Sequence, residues 1–132
     1  MAKTIEETTG ALRAFTSNLF SKIKELTGSE PTHYPSNGWY KFTDETIFLF
    51  ARIHGDSTKA VNCFPNSVEL QAQWDDSWED QAGVRMSSNA LWGSPAAEAC
   101  FAAQPDVLNN AIMFVETALD LHRRKRQKGI TP

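Results

Sequence analysis

The hydrophobic period of this sequence changes twice along the chain. Apolar residues from Ile5 to Leu26 recur every three or four positions, which predicts an amphipathic helix over residues 4–27. Between residues 38 and 88 the apolar residues alternate in several short runs, and such alternation is typical of strands. The helical period returns over residues 105–125. Helices at both ends with strands between them predict an α+β fold.

The alternating runs predict an antiparallel sheet of about four strands, at residues 38–42, 47–54, 59–64 and 83–88. The long N-terminal and C-terminal helices should pack on this sheet. We interpret residues 66–74 as a short helix, and residues 94–102 as a short alanine-rich helix or an irregular stretch. Thr4 and Glu7 have the spacing of a capping box, and Gly28 is a natural C-terminal cap for the first helix.

Length and composition bound the class of protein. The 132 residues form one domain over 1–128, with a short disordered end at 129–132. Fourteen aromatic side chains argue against disorder, and no apolar run reaches the ~18–20 residues that span a bilayer. The polar N-terminus predicts a cytoplasmic protein without a signal segment. Cys63 and Cys100 are then expected to be buried, reduced thiols.

The net charge of −3 conceals a strong asymmetry. Five of the thirteen basic residues lie within 123–128, so the remaining chain carries a charge of −8. An acidic body repels a phosphate backbone, so nucleic acid would bind only weakly, through the basic helix end. We therefore consider two oppositely charged interaction surfaces, on Trp74, Asp75, Asp76, Trp78, Glu79 and Asp80 and on Arg123, Arg124, Lys125 and Arg126. Each also has a purely structural interpretation, as a solvated loop and a solvated helix end.

Polar residues on two predicted strands suggest a different kind of site. Arg52 and His54 lie two apart and share one sheet face, as do Arg85 and Ser87, and Trp92 follows soon after. If these strands are neighbours, Arg52, His54, Arg85 and Trp92 form a patch for a small anion or nucleotide. Alternatively, the arginines pair with acidic neighbours at the solvent end of the sheet.

Motifs that define a catalytic or metal site are absent from the sequence. The seven glycines are scattered singly, which excludes a phosphate-binding loop, and no nucleophile elbow is present. No two of the His and Cys residues stand at a recognised ligand spacing, so we predict no metal, no cofactor and no catalytic residue. A small hydrolase with His54 as general base is a third possibility, although no orienting partner is identifiable.

The order of these elements resembles small bacterial domains of unknown function, sometimes described as predicted transport proteins and found alone or beside restriction-type nuclease domains. The matching stretches are residues 39–42, 47–54, 60–64, 83–88 and 105–121, whereas the Asp-rich segment and residues 96–104 depart from the pattern. The resemblance implies an α+β fold and a bacterial or phage origin, and it implies no activity.

These observations favour a non-enzymatic interaction module that binds a protein partner or a second copy of itself. The alternative is a sensor for a small anionic ligand or nucleotide, using the Arg52, His54, Arg85 and Trp92 patch. Neither hypothesis involves a membrane.

Overall fold

The computed structural model describes residues 2–56, 63–87 and 95–127. Two long helices and seven strands make up this part of the chain. In chain order they are β1 (Ala2–Lys3), α1 (Gly10–Thr27), β2 (Thr32–His33), β3 (Trp39–Asp44), β4 (Thr46–His54), β5 (Ser67–Gln73), β6 (Arg85–Ser87), β7 (Ala96–Ala102) and α2 (Leu108–Gln127). Short 3₁₀ turns cover Ile5–Glu7, Asp76–Asp80 and Pro105–Val107.

One antiparallel sheet contains all the described strands. Six of them run in the order β2-β3-β4-β5-β7-β6. The short β1 pairs with the end of β4, where Ala2 lies opposite His54. The α+β class and the antiparallel sheet are as predicted. The predicted number of about four strands is too low.

The core lies between one face of the sheet and both helices. Helix α1 contributes Leu19 and Ile23, which are fully buried, and α2 contributes Phe114 and Val115. The sheet meets them with every second residue of its central strands, such as Leu70 of β5. Burying a side chain of this size contributes about 1.5–3 kcal/mol. Both helices therefore cover the same face and leave the other face to a different set of side chains.

The predicted short helix at residues 66–74 is wrong, and so is the predicted alanine-rich helix or irregular stretch at 94–102. These segments contain the central strands β5 (Ser67–Gln73) and β7 (Ala96–Ala102). In β5, Val68, Leu70 and Ala72 alternate with polar residues, and this period of two outweighs the rough helical spacing. In β7 the alanines have a high intrinsic helix propensity, but pairing along the whole length of β5 overrides it.

The predicted third strand at residues 59–64 is not found in the described residues. Its residues 59–62 lie outside them, and Cys63 and Phe64 belong to no strand. The predicted disordered end at 129–132 also lies outside the described residues.

The ends of the first helix differ from the predicted ones. Thr4 and Glu7 do interact, with the backbone N–H of Thr4 donating to Glu7 Oε1 at 2.8 Å. They cap the 3₁₀ turn rather than the helix, which begins at Gly10. Gly28 ends α1 as predicted, with a left-handed φ of 74° that glycine adopts without steric cost.

Candidate functional site: the polar sheet face and the acidic groove

The sheet face that points away from the helices carries polar side chains in two cross-strand rows. The first row runs through Trp39, Arg52, Glu69 and Cys100, and the second through Lys41, Phe50, Gln71, Glu98 and Arg85. We call these residues, with His54, the polar face. Several are buried although they are polar, since Glu69, Gln71 and His54 are only 6%, 3% and 3% exposed. Burying such groups is tolerable only with hydrogen-bonded partners.

Glu69 is the centre of the first row. Its Oε1 accepts hydrogen bonds from Arg52 Nη2 at 3.1 Å and from His54 Nε2 at 2.9 Å. Burial raises the pKa of Glu69, but the hydrogen bond from His54 and the charge of Arg52 outweigh it, and the net pKa is lowered. Arg52 also stacks on Trp39, with its Cζ 4.3 Å from the ring centroid. Glu69 is therefore an ionised, buried carboxylate.

Glu98 organises the second row in the same way. Its Oε2 accepts from Gln71 Nε2 at 2.8 Å, and its Oε1 accepts from Arg85 Nη2. Each carboxylate of the polar face thus has its own arginine. Two other buried polar atoms of this face, Arg52 Nε and Gln71 Oε1, have no hydrogen-bond partner among the residues that the structure describes. One is a donor and the other an acceptor.

The structure separates the predicted ligand residues into two groups. Arg52 and His54 are on β4 and share Glu69, whereas Arg85 is on β6 and binds Glu98. Strands β4 and β6 are not neighbours, because β5 and β7 lie between them. Trp92 lies outside the described residues. The anion site therefore stays a prediction, and both arginines have acidic partners.

The two cysteines differ from the prediction of separate reduced thiols. Cys63 and Cys100 are paired as a disulfide, with their Cα atoms 5.5 Å apart and 37 positions apart in sequence. Sequence reasoning placed each cysteine in its own apolar stretch. The local pattern does not show that Cys100 lies opposite Glu69 in the pairing of β5 with β7.

The disulfide adjoins a cluster of metal-ligating side chains. One ligand atom each from His54, Cys63 and Glu69 lies within 4.8 Å of the other two. The spacing argument missed this cluster because sheet pairing, not local spacing, brings residues 54 and 69 together. An alternating polar pattern in β5 was the available signal.

The acidic segment, residues 74–80, contains one core residue and several exposed ones. Trp78 is fully buried, stacks on Phe114 with ring centroids 4.6 Å apart, and donates its Nε1–H to the Gln73 carbonyl. Trp74 is partly buried, and its Nε1–H donates to Asp76 Oδ1 at 3.3 Å. Asp75, Asp76, Glu79 and Asp80 are partly or fully exposed. Trp78 therefore anchors a segment that presents acids to solvent.

The basic helix end is tied to the turn between β3 and β4. Arg123 Nε and Arg126 Nη1 bind Asp44 Oδ2 at 2.9 and 3.1 Å, and Arg126 also reaches Glu45. The hydrogen bond from Arg123 holds the pKa of Asp44 below its ordinary value. Burial lowers the pKa of His122, whose Nε2 lies 3.1 Å from the Asp44 carbonyl oxygen. Arg123 and Arg126 therefore already form ion pairs within the chain.

A groove of about 480 Å³ lies beside the acidic segment. Four parts of the chain form its walls: Phe64, residues 81–84, the end of β7, and residues 107–114 at the start of α2. The apolar lining residues are Phe64, Val84, Phe101, Val107, Met113 and Phe114. We call it the acidic groove. Sequence reasoning missed it, because the lining residues come from parts of the chain that are distant in sequence.

Comparisons with family models, with curated proteins and with solved structures found no match to this chain. The resemblance drawn from element order therefore stays a prediction. Among the described residues, neither helix is both long enough and apolar enough to cross a membrane.

Proposed function

We propose that this chain is a protein-interaction module whose acidic groove binds an apolar side chain within a cationic segment of a partner protein. The observation that carries the proposal is an exposed apolar groove, formed by segments of the chain that also carry exposed acidic side chains. Catalysis has no role in this proposal.

The first argument is the exposure of large apolar side chains. Phe64 and Met113 are 52% and 55% exposed, and both line the groove. Single exposed apolar residues are common, but apolar residues gathered in one groove are typical of an interaction site. The volume is within the ~300–1,000 Å³ of ligand-sized sites. An apolar side chain of a partner would replace water there.

The second argument is charge. Within residues 63–87 and 95–122 the chain has nine acidic side chains and only one Lys or Arg, Arg85. Arg85 already binds Glu98. Five exposed acids lie within five positions of a groove residue in sequence: Asp76, Glu79, Asp80, Asp106 and Glu116. None of the five forms an ion pair with another described residue. A cationic partner complements this field and avoids like-charge repulsion.

A separate protein fits this surface better than a second copy. In the alternative, the basic helix end would dock on the acidic segment of another copy. Arg123 and Arg126 already bind Asp44, and Arg124 binds Asp120 within α2. Self-association would have to break these ion pairs or share them. Light scattering over a range of protein and salt concentrations distinguishes the two, because a salt-sensitive dimer would favour the second copy.

Binding of a fluorescent amphipathic peptide of leucine and lysine tests the proposal. We expect saturable binding that weakens with salt, and no binding of the matched leucine and glutamate peptide. Met113→Ser should weaken binding about 5–10-fold, because it removes roughly 1 kcal/mol of apolar contact. Met86→Ser is the matched control, since Met86 is equally exposed at 54% and does not line the groove.

Charge variants test the acidic surroundings separately. Glu79→Gln should weaken peptide binding and reduce its dependence on salt. Glu25→Gln on α1 makes the same change of charge at an exposed position away from the groove and should have little effect. Equal effects of Met113→Ser and Met86→Ser, or of the two glutamate variants, would overturn the groove as the binding site.

A second candidate function rests on the polar face. Within residues 2–56, 63–87 and 95–127, the buried atoms Arg52 Nε and Gln71 Oε1 have no hydrogen-bond partner, so a small ligand with one acceptor and one donor would satisfy both. Thermal-shift measurements with anionic metabolites and nucleotides test this alternative. Loss of a ligand-induced shift in Arg52→Ala and Arg85→Ala would support it, and unchanged shifts would reject it.

A further inference from the structure

The disulfide between Cys63 and Cys100 lies beside two other side chains that bind metals. Ligand atoms of His54, Cys63 and Glu69 lie within 4.8 Å of one another, and Cys100 is bonded to Cys63. Cys100 also faces Glu69 directly in the pairing of β5 with β7. Reduction of the disulfide would leave the Cys63 thiol beside this imidazole and carboxylate, with the Cys100 thiol next to Cys63.

We propose that the reduced chain binds one Zn²⁺ through His54, Cys63, Glu69 and Cys100, and that the disulfide is the metal-free, oxidised form of the same site. The proposal does not rest on the proposed binding role of the acidic groove, although Cys100 also lines that groove.

The donor set is suited to zinc. Two thiolates with imidazole and carboxylate favour a borderline-soft ion that accepts tetrahedral coordination, whereas Mg²⁺ and Ca²⁺ prefer oxygen ligands alone. With Zn–S of about 2.3 Å and Zn–N of about 2.0–2.1 Å, donor atoms in a tetrahedral site lie about 3.4–3.8 Å apart. His54 Nε2 and Glu69 Oε1 are 2.9 Å apart, and the three donor atoms spread over no more than 4.8 Å. Shifts of about 1 Å therefore bring these three donors to tetrahedral spacing. Cys100 Sγ has to move further once the disulfide is reduced, because two zinc-bound sulfur atoms lie about 3.8 Å apart.

The surroundings balance the charge of such a site. Two thiolates and the Glu69 carboxylate carry −3, and Zn²⁺ leaves −1. Arg52 supplies the remaining positive charge, because its Nη2 already donates to Glu69 Oε1. A carboxylate that both binds the metal and accepts from an arginine is held in place by an outer partner, and such partners strengthen metal binding.

Oxidation converts one form into the other with balanced electrons. The two thiolates lose two electrons and form the bond between Cys63 Sγ and Cys100 Sγ. Hydrogen peroxide is the oxidant class, and it takes up these two electrons and two protons as its O–O bond breaks to give two water molecules. Zinc then loses two of its four ligands, so the disulfide form should release it.

Cobalt substitution tests the proposal most directly. The full chain is reduced, freed of metal and titrated with Co²⁺ in the absence of oxygen. We expect one Co²⁺ per chain, with a thiolate-to-cobalt charge-transfer band and the ligand-field bands of tetrahedral cobalt. Zn²⁺ should displace the cobalt and abolish both. The oxidised chain should show neither band, and peroxide should release bound zinc into a chelating indicator.

Variants identify the ligands. Cys63→Ser and His54→Gln should weaken zinc binding by more than the ~10–100-fold that loss of an outer partner costs. Glu98→Gln on the same sheet face and His33→Gln on β2 are the matched controls and should bind zinc as the wild type does. A reduced wild-type chain without the charge-transfer band would overturn the proposal even if a variant fails to fold. Equal zinc affinity of the reduced and oxidised chains would overturn it as well.

Discussion

The indole ring of Trp78 stacks on the ring of Phe114, with centroids 4.6 Å apart and planes inclined by 31°. This contact joins the acidic segment to α2. Phe114 also lines the acidic groove, so one core contact holds a wall of the groove in place. The same segment thus combines a buried anchor with exposed acids.

Replacing this anchor should be costly to stability. Trp78→Ala should lower the free energy of unfolding by about 3–5 kcal/mol, because the side chain is fully buried and leaves a cavity. Trp74→Ala should cost much less, since Trp74 is only partly buried. Urea unfolding followed by circular dichroism measures both. Equal losses for the two variants would show that Trp78 is not the anchor.

The two carboxylates of the polar face should differ in their contribution to stability. Glu69→Gln weakens the contacts of both Arg52 and His54 in a buried setting and should cost about 2–4 kcal/mol, somewhat below the cost of breaking a fully buried pair. Glu98→Gln should cost less, because the side chain of Arg85 is 36% exposed and water replaces part of the interaction. Urea unfolding at pH 7 compares them, and a larger loss for Glu98→Gln would contradict this ranking.

Periodicity alone was sufficient to predict the two long helices, although α1 begins at Gly10 and not at residue 4. The helical stripe from Leu12 to Ile23 and the capping position of Gly28 predicted α1, and the same kind of stripe predicted α2. It failed at β5 and β7, where the side chains on one sheet face are polar yet buried. There the strands are stabilised by pairing with distant strands and by ion pairs such as Arg85 with Glu98, which no local pattern contains.

The candidate site depended even more on distant contacts. Sequence reasoning selected Arg52, His54 and Arg85, but it supplied no partner for them. Glu69 and Glu98 lie in the two segments for which the local pattern predicts no strand, so their pairing with the arginines was not predictable. The disulfide was missed for the same reason, since Cys100 reaches Cys63 only when residues 96–102 form a strand.

Acid should weaken the contact between Asp44 and the basic helix end. The pKa of Asp44 is lowered from its ordinary value of 3.8, so its stabilising effect is present at neutral pH and is lost as pH falls below that value. Asp44→Asn should cost about 1 kcal/mol at pH 7, since Arg123 is half exposed and water screens the pair. The difference from the wild type should shrink towards pH 3. Unfolding measured across this range would contradict the account if the difference stayed constant.

In the absence of zinc, reduction of the disulfide should lower the free energy of unfolding. The bond closes a loop between positions 37 apart, and a loop of this size stabilises by about 2–4 kcal/mol. Thermal unfolding with and without reductant, in the presence of a chelator, measures the loss. The double variant Cys63→Ser/Cys100→Ser is the control and should not respond to reductant. An unchanged transition of the reduced wild type would show that the bond does not contribute.

Methyl-group NMR during titration with the leucine and lysine peptide tests the central claim, the binding role of the acidic groove, most directly. We predict saturable shifts of the methyl signals of Met113, Val84 and Val107, which line the groove, with the signal of Met86 unchanged. Shifts confined to Met86, or a titration that leaves the three groove methyl signals unchanged, would contradict the account.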